Sequence, residues 1–185
     1  MRQLRFFLLV ALLSLVGCAS KPVVVQRPVH ADAPFAFNGR VAIKHDGERQ
    51  SAGLRWEHGA AEDSVLLLAP LGQTVASIHR DSQGVTLEAS GKQYVAQDAE
   101  TLTRKILGWE LPLSGLRYWV TALPANGTVA DIQRDANGQI SVLRQDGWEI
   151  VYSQYSSTAT DSLPLRFVLQ REHLEIKVFI DEWER

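Results

Sequence analysis

The sequence predicts a mainly β fold: an antiparallel, strongly curved sheet or barrel of about ten strands, interrupted once by two short amphipathic helices. Three observations lead there. From Phe35 onward, apolar and polar residues alternate in short runs, which is the period of a half-buried strand. Turn residues recur between the runs, at Asp46-Gly47, Asp81-Ser82-Gln83-Gly84, Ser90-Gly91, Asn137-Gly138 and Asp146-Gly147. Between Asp98 and Pro124 the two-residue period gives way to a helical one.

In the first run Phe37, Gly39, Val41 and Ile43 share one side of a strand, while Asn38, Arg40 and Lys44 take the other. Leu54 and Trp56 resume the pattern after the Asp46-Gly47 turn, with Arg55 facing out. Val65 to Ala69 is apolar on both sides and calls for cover on each. It runs into Pro70-Leu71-Gly72, where Pro presets φ and Gly permits φ > 0, so Leu71 sits at a loop tip. The residues alone leave two readings of Leu71, a plug folded back on the core or an exposed apolar tip. Further strands follow at Val75 to Arg80, Val85 to Glu88 and Gln93 to Ala96.

Asp98 can cap a helix over Ala99 to Leu107, with Leu102 and Ile106 on one face and Gly108 ending it. After the Leu111-Pro112 break, Ser114 can cap a second helix through Leu123, whose Leu116, Trp119, Val120 and Leu123 fall on one stripe before Pro124 stops it. These apolar faces must be buried, and the concave side of the sheet is the large surface available, so the helices should act as a lid or plug. Strands resume at Val129 to Arg134, Ile140 to Arg144, Trp148 to Tyr155, Leu165 to Gln170 and Leu174 to Asp181.

Ahead of this domain, Arg2 and Arg5 precede an apolar core from Phe6 to Val16 and then Leu15-Val16-Gly17-Cys18, the layout of a bacterial lipoprotein signal peptide. The run is too short to cross a hydrocarbon core of about 30 Å as a helix. Residues 1–17 are therefore expected to be a leader and Cys18, the single cysteine, an acylation site tethering the chain to a membrane. Residues 18–34, with Pro22, Pro28 and Pro34, read as an extended tether, and 35–185 as one folded domain.

A formal net charge of -2, with Lys and Arg spread thinly, argues against nucleic-acid binding. His30, His45, His58, His79 and His173 are isolated and paired cysteines are lacking, so no metal or other cofactor is expected beyond the acyl groups on Cys18. No nucleophile elbow, phosphate loop or dinucleotide fingerprint occurs. Glu57, Glu149 and Asp181 read as solvated strand-face charges. What stands out is an aromatic surplus, including Trp56, Trp109, Trp119, Trp148 and Trp183, which suits either a solid barrel core or an apolar cavity for a lipid-like ligand.

The blocks Phe37-Asn38-Gly39-Arg40, Leu54-Arg55-Trp56, Leu68-Ala69-Pro70-Leu71-Gly72, Leu111-Pro112, Leu116-Arg117-Tyr118-Trp119, Gly147-Trp148-Glu149-Ile150-Val151-Tyr152 and Trp183 resemble, in order and spacing, the LolB family of outer-membrane lipoprotein receptors. The resemblance implies an incomplete, half-open antiparallel β-barrel of about ten to eleven strands with a short helical lid over a hydrophobic cavity. It implies a monomeric, non-enzymatic protein at the periplasmic face of the outer membrane. Such a protein takes acylated lipoproteins from a soluble LolA-like periplasmic carrier of similar fold and inserts them into the inner leaflet. The family's exposed loop leucine is matched by Leu71, with Pro70 and Gly72 beside it. For the acyl-chain cavity the expected residues are Trp56, Leu102, Ile106, Leu116, Trp119, Trp148 and Tyr152. Ala19 and Ser20 after Cys18 provide no aspartate of the kind that marks inner-membrane retention. The alternatives are a non-catalytic outer-membrane scaffold for another envelope assembly and, third, a periplasmic hydrolase.

Overall fold

A computed structural model describes residues 33–184. The expected leader, Cys18 and all of the tether before Ala33 lie outside the described residues. The strands are β1 (Phe35–His45), β2 (Glu48–His58), β3 (Asp63–Leu68), β4 (Thr74–Asp81), β5 (Gly84–Ala89), β6 (Lys92–Ala96), β7 (Asp131–Arg134), β8 (Ile140–Gln145), β9 (Trp148–Tyr155), β10 (Pro164–Arg171) and β11 (Leu174–Glu184). Between β6 and β7 come α1 (Ala99–Leu107) and α2 (Leu113–Trp119).

All 11 strands form one antiparallel sheet in the order β6-β5-β4-β3-β2-β1-β11-β10-β9-β8-β7. Every neighbour is a sequence neighbour except β1 and β11, whose pairing joins the two halves of the chain through Val41 with Val178 and Ile43 with Ile176. The terminal strands β6 and β7 do not pair with each other, so the barrel stays open, and the helical segment occupies the interval between them in the chain. This is the half-open, lidded architecture anticipated above. The turn chemistry holds as well: Asp46, Ser90 and Asp146 each take positive φ ahead of a positive-φ glycine.

Alternation builds the core directly. Phe37, Val41, Leu54, Trp56, Val65, Ile78 and Leu87 are buried on one sheet face, while the expected strand-face carboxylates pair outside with arginines, Glu57 with Arg55, Glu149 with Arg144 and Asp181 with Arg40. Gly39 sits where β1 shifts register against β11. A Cβ there would lie 2.2 Å from the Phe179 carbonyl oxygen, a backbone atom that cannot swing aside. Gly39→Ala is expected to cost about 1–3 kcal/mol, read from the urea midpoint, and an unchanged midpoint would show that the shifted register relaxes freely.

Two boundaries depart from expectation. The strand expected from Val129 begins at Asp131, because pairing with β8 starts at Asp131 opposite Arg144 and leaves Val129 in the preceding loop, 94% exposed. The second helix is displaced from the expected one, starting before Ser114 and ending before Leu123. It starts at Leu113 with Pro112 at the cap position, and Ser114 lies inside it instead of capping it. Its N-terminus is served from the first helix, since the Glu100 carboxylate accepts from Ser114 N–H at 3.0 Å and from the Ser114 hydroxyl at 2.6 Å. It closes before Leu123 because Ala122 turns left-handed at φ 55 and Leu123 N–H reaches back to the Tyr118 carbonyl.

Candidate functional site

The antiparallel register sorts the turns into two ends. At one end lie the start of β1, the end of β2 and the end of β11, and there Phe35, Phe37, Trp56 and Trp183 pack ring on ring with centroids 5.2–6.2 Å apart. Beside them Asp63, fully buried, accepts from Trp56 Nε1 at 3.0 Å and His58 Nδ1 at 2.6 Å and pairs with the Arg80 guanidinium. Phe35 stacks on the His58 ring at 4.7 Å. Burial by itself pushes the Asp63 carboxyl up, yet the hydrogen bonds from His58, Arg80 and Trp56, with the charge of His58, outweigh it and hold the carboxyl below the usual aspartate range. This end is sealed by rings and a charged hydrogen-bond cluster.

Toward the other end the barrel encloses a cavity of about 330 Å³, within the range of small-ligand pockets. Its wall is apolar: Val41 and Ile43 on β1, Leu54 and Trp56 on β2, Val65 and Leu67 on β3, Ile78 on β4, and Ile176 and Val178 on β11. The helical segment closes it with Leu107, Trp109, Leu111, Leu113 and Leu116. Thr103 ties that segment together, donating to the Ala99 carbonyl at 2.8 Å and accepting from Leu111 N–H at 2.8 Å. Glu110 fastens it to the sheet, accepting from Arg104 Nε at 2.6 Å and lying 3.5 Å from Arg171 Nη1.

Of the residues expected to line a cavity, Trp56 and Leu116 do so. Leu102 is buried in the core beneath α1, and Ile106 is half-buried against it; neither borders the space. Trp119, Trp148 and Tyr152 are also placed elsewhere, for a polar reason. Trp119 Nε1 must find an acceptor once buried and donates to Gln145 Oε1 at 3.0 Å, while the Tyr152 hydroxyl donates to the Trp119 carbonyl at 2.7 Å. Trp148 packs on Trp119 at 6.4 Å and carries the Arg171 guanidinium over its face. Sequence reasoning missed Val75, Leu107, Trp109, Leu111 and Leu113. The last apolar turn of α1 was the available signal for Leu107, whereas Val75 has the opposite parity to Ala76 and Ile78 and reaches the cavity where β4 shifts register against β3 between Leu67 and Leu68.

Leu71 resolves cleanly. The Ala69 carbonyl accepts from Gly72 N–H at 2.8 Å, Ala69 N–H donates to Gln73 at 2.8 Å, and Gly72 takes φ 82, so the loop is a tight hydrogen-bonded hairpin tip. At its apex Leu71 is 85% exposed, which rules out the folded-back plug. Register places this tip just beyond Leu67 and Ala76, at the cavity's end of the barrel and opposite the aromatic seal. Among the described residues no helix is long and apolar enough to cross a membrane, and no three His, Cys, Asp or Glu side chains converge as a metal site.

Residues 33–183 match the family model described as outer membrane lipoprotein LolB. The outer-membrane lipoprotein LolB of Nitrosomonas europaea is 40% identical, the alignment covering 97% of this chain and 92% of that one. That of Chromobacterium violaceum is 40% identical, covering 97% and 98%, and that of Thiobacillus denitrificans 39% identical, covering 92% of each. Among solved structures, a LolA superfamily protein from Nitrosomonas europaea superposes with a TM-score of 0.51 at 8% identity, covering 83% of this chain and 86% of that one. At that identity the likeness concerns the fold.

Proposed function

The chain belongs to the outer membrane lipoprotein LolB family, and on that premise we propose that it is an outer-membrane lipoprotein receptor that houses acyl chains in its barrel and passes them to the bilayer. The observation that carries this reading is the pairing of an apolar cavity with an exposed leucine tip at the same end of the barrel. Each methylene removed from water is worth about 0.8 kcal/mol, so a triacylated protein cannot cross an aqueous space unshielded. The cavity supplies the shield. One leucine buried in a bilayer contributes roughly 1.5–3 kcal/mol, enough to orient the mouth against the membrane but too little to hold it there.

The finer parts of the reading rest on the leader-like N-terminal sequence and on the family likeness. Cys18 is the lipid-modified anchor after removal of residues 1–17, residues 18–34 are the tether, and 35–185 form the binding domain at the periplasmic face. The donor is a soluble LolA-like carrier, the acceptor is the inner leaflet of the outer membrane, and the protein works as a monomer without catalytic chemistry. Transfer tests it directly. A radiolabelled lipoprotein loaded on such a carrier should move to this protein on mixing and then appear in added liposomes; retention on the carrier would overturn the reading. A Cys18→Ala form should accept cargo at the unmodified rate but deliver it with less selectivity among membranes, measured with mixed vesicle populations. Loss of acceptance in that form would show that anchor and cavity are not separate.

A further inference from the structure

The cavity wall changes character at one place. Along β2 every second residue faces inward, in the order Trp56, Leu54, Ala52, Gln50. Trp56 and Leu54 are buried, Ala52 is half-buried and Gln50 is exposed, so the row runs from the sealed end to open solvent and finishes on an amide. Two apolar lining residues are exposed beside it, Val75 on β4 at 51% and Leu107 at the end of α1 at 43%. Together they mark the mouth. Of the polar residues that border the cavity, Thr103 already gives and takes hydrogen bonds within the helical segment, and Ser51 has the parity of the outer sheet face. Gln50 has the inward parity and no side-chain partner among the described residues.

Resting on the lipoprotein-receptor reading, we propose that the mouth between Gln50, Val75 and Leu107 is the portal for acyl chains and that Gln50 is a positioning residue for the polar head of the cargo. The ligand is a diacylglyceryl-cysteine N-terminus, whose ester and amide carbonyls cannot be buried unpaired in a wall of Leu, Val and Ile. The Gln50 amide carries donors that those carbonyls accept. Chains then enter tail first, with methyl ends toward Trp56 and Val65 and the head held at the rim. The Leu71 tip stands at the same end, so the chains can be withdrawn into a bilayer without turning inside the barrel.

Photo-crosslinking the full-length protein to a synthetic dipalmitoyl-glyceryl-cysteine lipopeptide tests this, with the reactive group placed either on the second residue of the peptide or at the end of an acyl chain. The head probe should label the segments around Gln50 and Leu107, and the tail probe those around Trp56 and Val65. Head labelling at Trp56, or identical maps for both probes, would overturn the orientation while leaving lipoprotein binding intact; no labelling by either probe would remove the receptor reading and this one with it. For the side chain itself, Gln50→Leu should weaken lipopeptide binding about fivefold and leave a pyrene-labelled alkane, which has no carbonyl head, unaffected. Equal effects on the two ligands, or none on the lipopeptide, would overturn the role of Gln50.

Discussion

Leu71→Glu should lower lipoprotein incorporation into liposomes by at least about tenfold while leaving thermal unfolding and cargo acceptance unchanged. The hairpin tip makes no core contact that the substitution removes, because Leu71 is 85% exposed and its turn is held by backbone bonds between Ala69, Gly72 and Gln73. Stability therefore has no reason to move. What changes is the encounter with the membrane: a side chain worth roughly 1.5–3 kcal/mol on burial is exchanged for a carboxylate that resists leaving water. Loaded protein should accumulate, seen as labelled cargo co-eluting with the variant. Incorporation at the unmodified rate would show that the tip does not touch the bilayer during release.

Asp63→Asn should destabilise the domain by about 3–5 kcal/mol, the cost of removing one partner from a buried charged cluster. At roughly 2–4 °C per kcal/mol for a chain of this size, the thermal midpoint should fall by about 10 °C. The carboxylate holds Trp56, His58 and Arg80 at once, at the end of the barrel sealed by Phe35, Phe37 and Trp183. Its pKa in the folded protein lies below the usual aspartate range. The stabilisation is thus fully present above the unfolded value of about 3.9 and is lost as pH falls through the folded value. Unfolding in urea between neutral and strongly acid pH should show this loss in the parent and lack the Asp63 contribution in the variant. Parallel curves would mean that the cluster does not govern acid stability.

These two residues differ in how plainly the sequence announces them. Leu71 between Pro70 and Gly72 is legible as an apolar residue at a turn, because turn chemistry is local. Asp63 is not: along the chain it reads like any solvated carboxylate, yet it opens β3, and its partners lie on β2 and β4, joined to it only by strand pairing. His58 likewise reads as an isolated histidine until Asp63 is brought 2.6 Å from it. Among the aromatics, Trp56 faces the cavity but Trp119 and Trp148 do not, since the Gln145 side chain that takes the Trp119 N–H is 26 positions away in the chain. The start of α2 departs from local pattern for a related reason. Ser114 has the right type for a cap, but Glu100 from another helix fills that role.

Strand alternation, the turns, the interruption by two helices and the family are legible along the chain, because side-chain period, glycine and proline chemistry and block order are properties of local order. The folded chain alone reveals that β1 and β11 join while β6 and β7 stay apart, which residues face the cavity and which merely pack, and that Leu71 stands free of the core. Those outcomes depend on contacts between residues distant in sequence, where packing and the need of each buried polar group for a partner choose among arrangements that local pattern leaves equal.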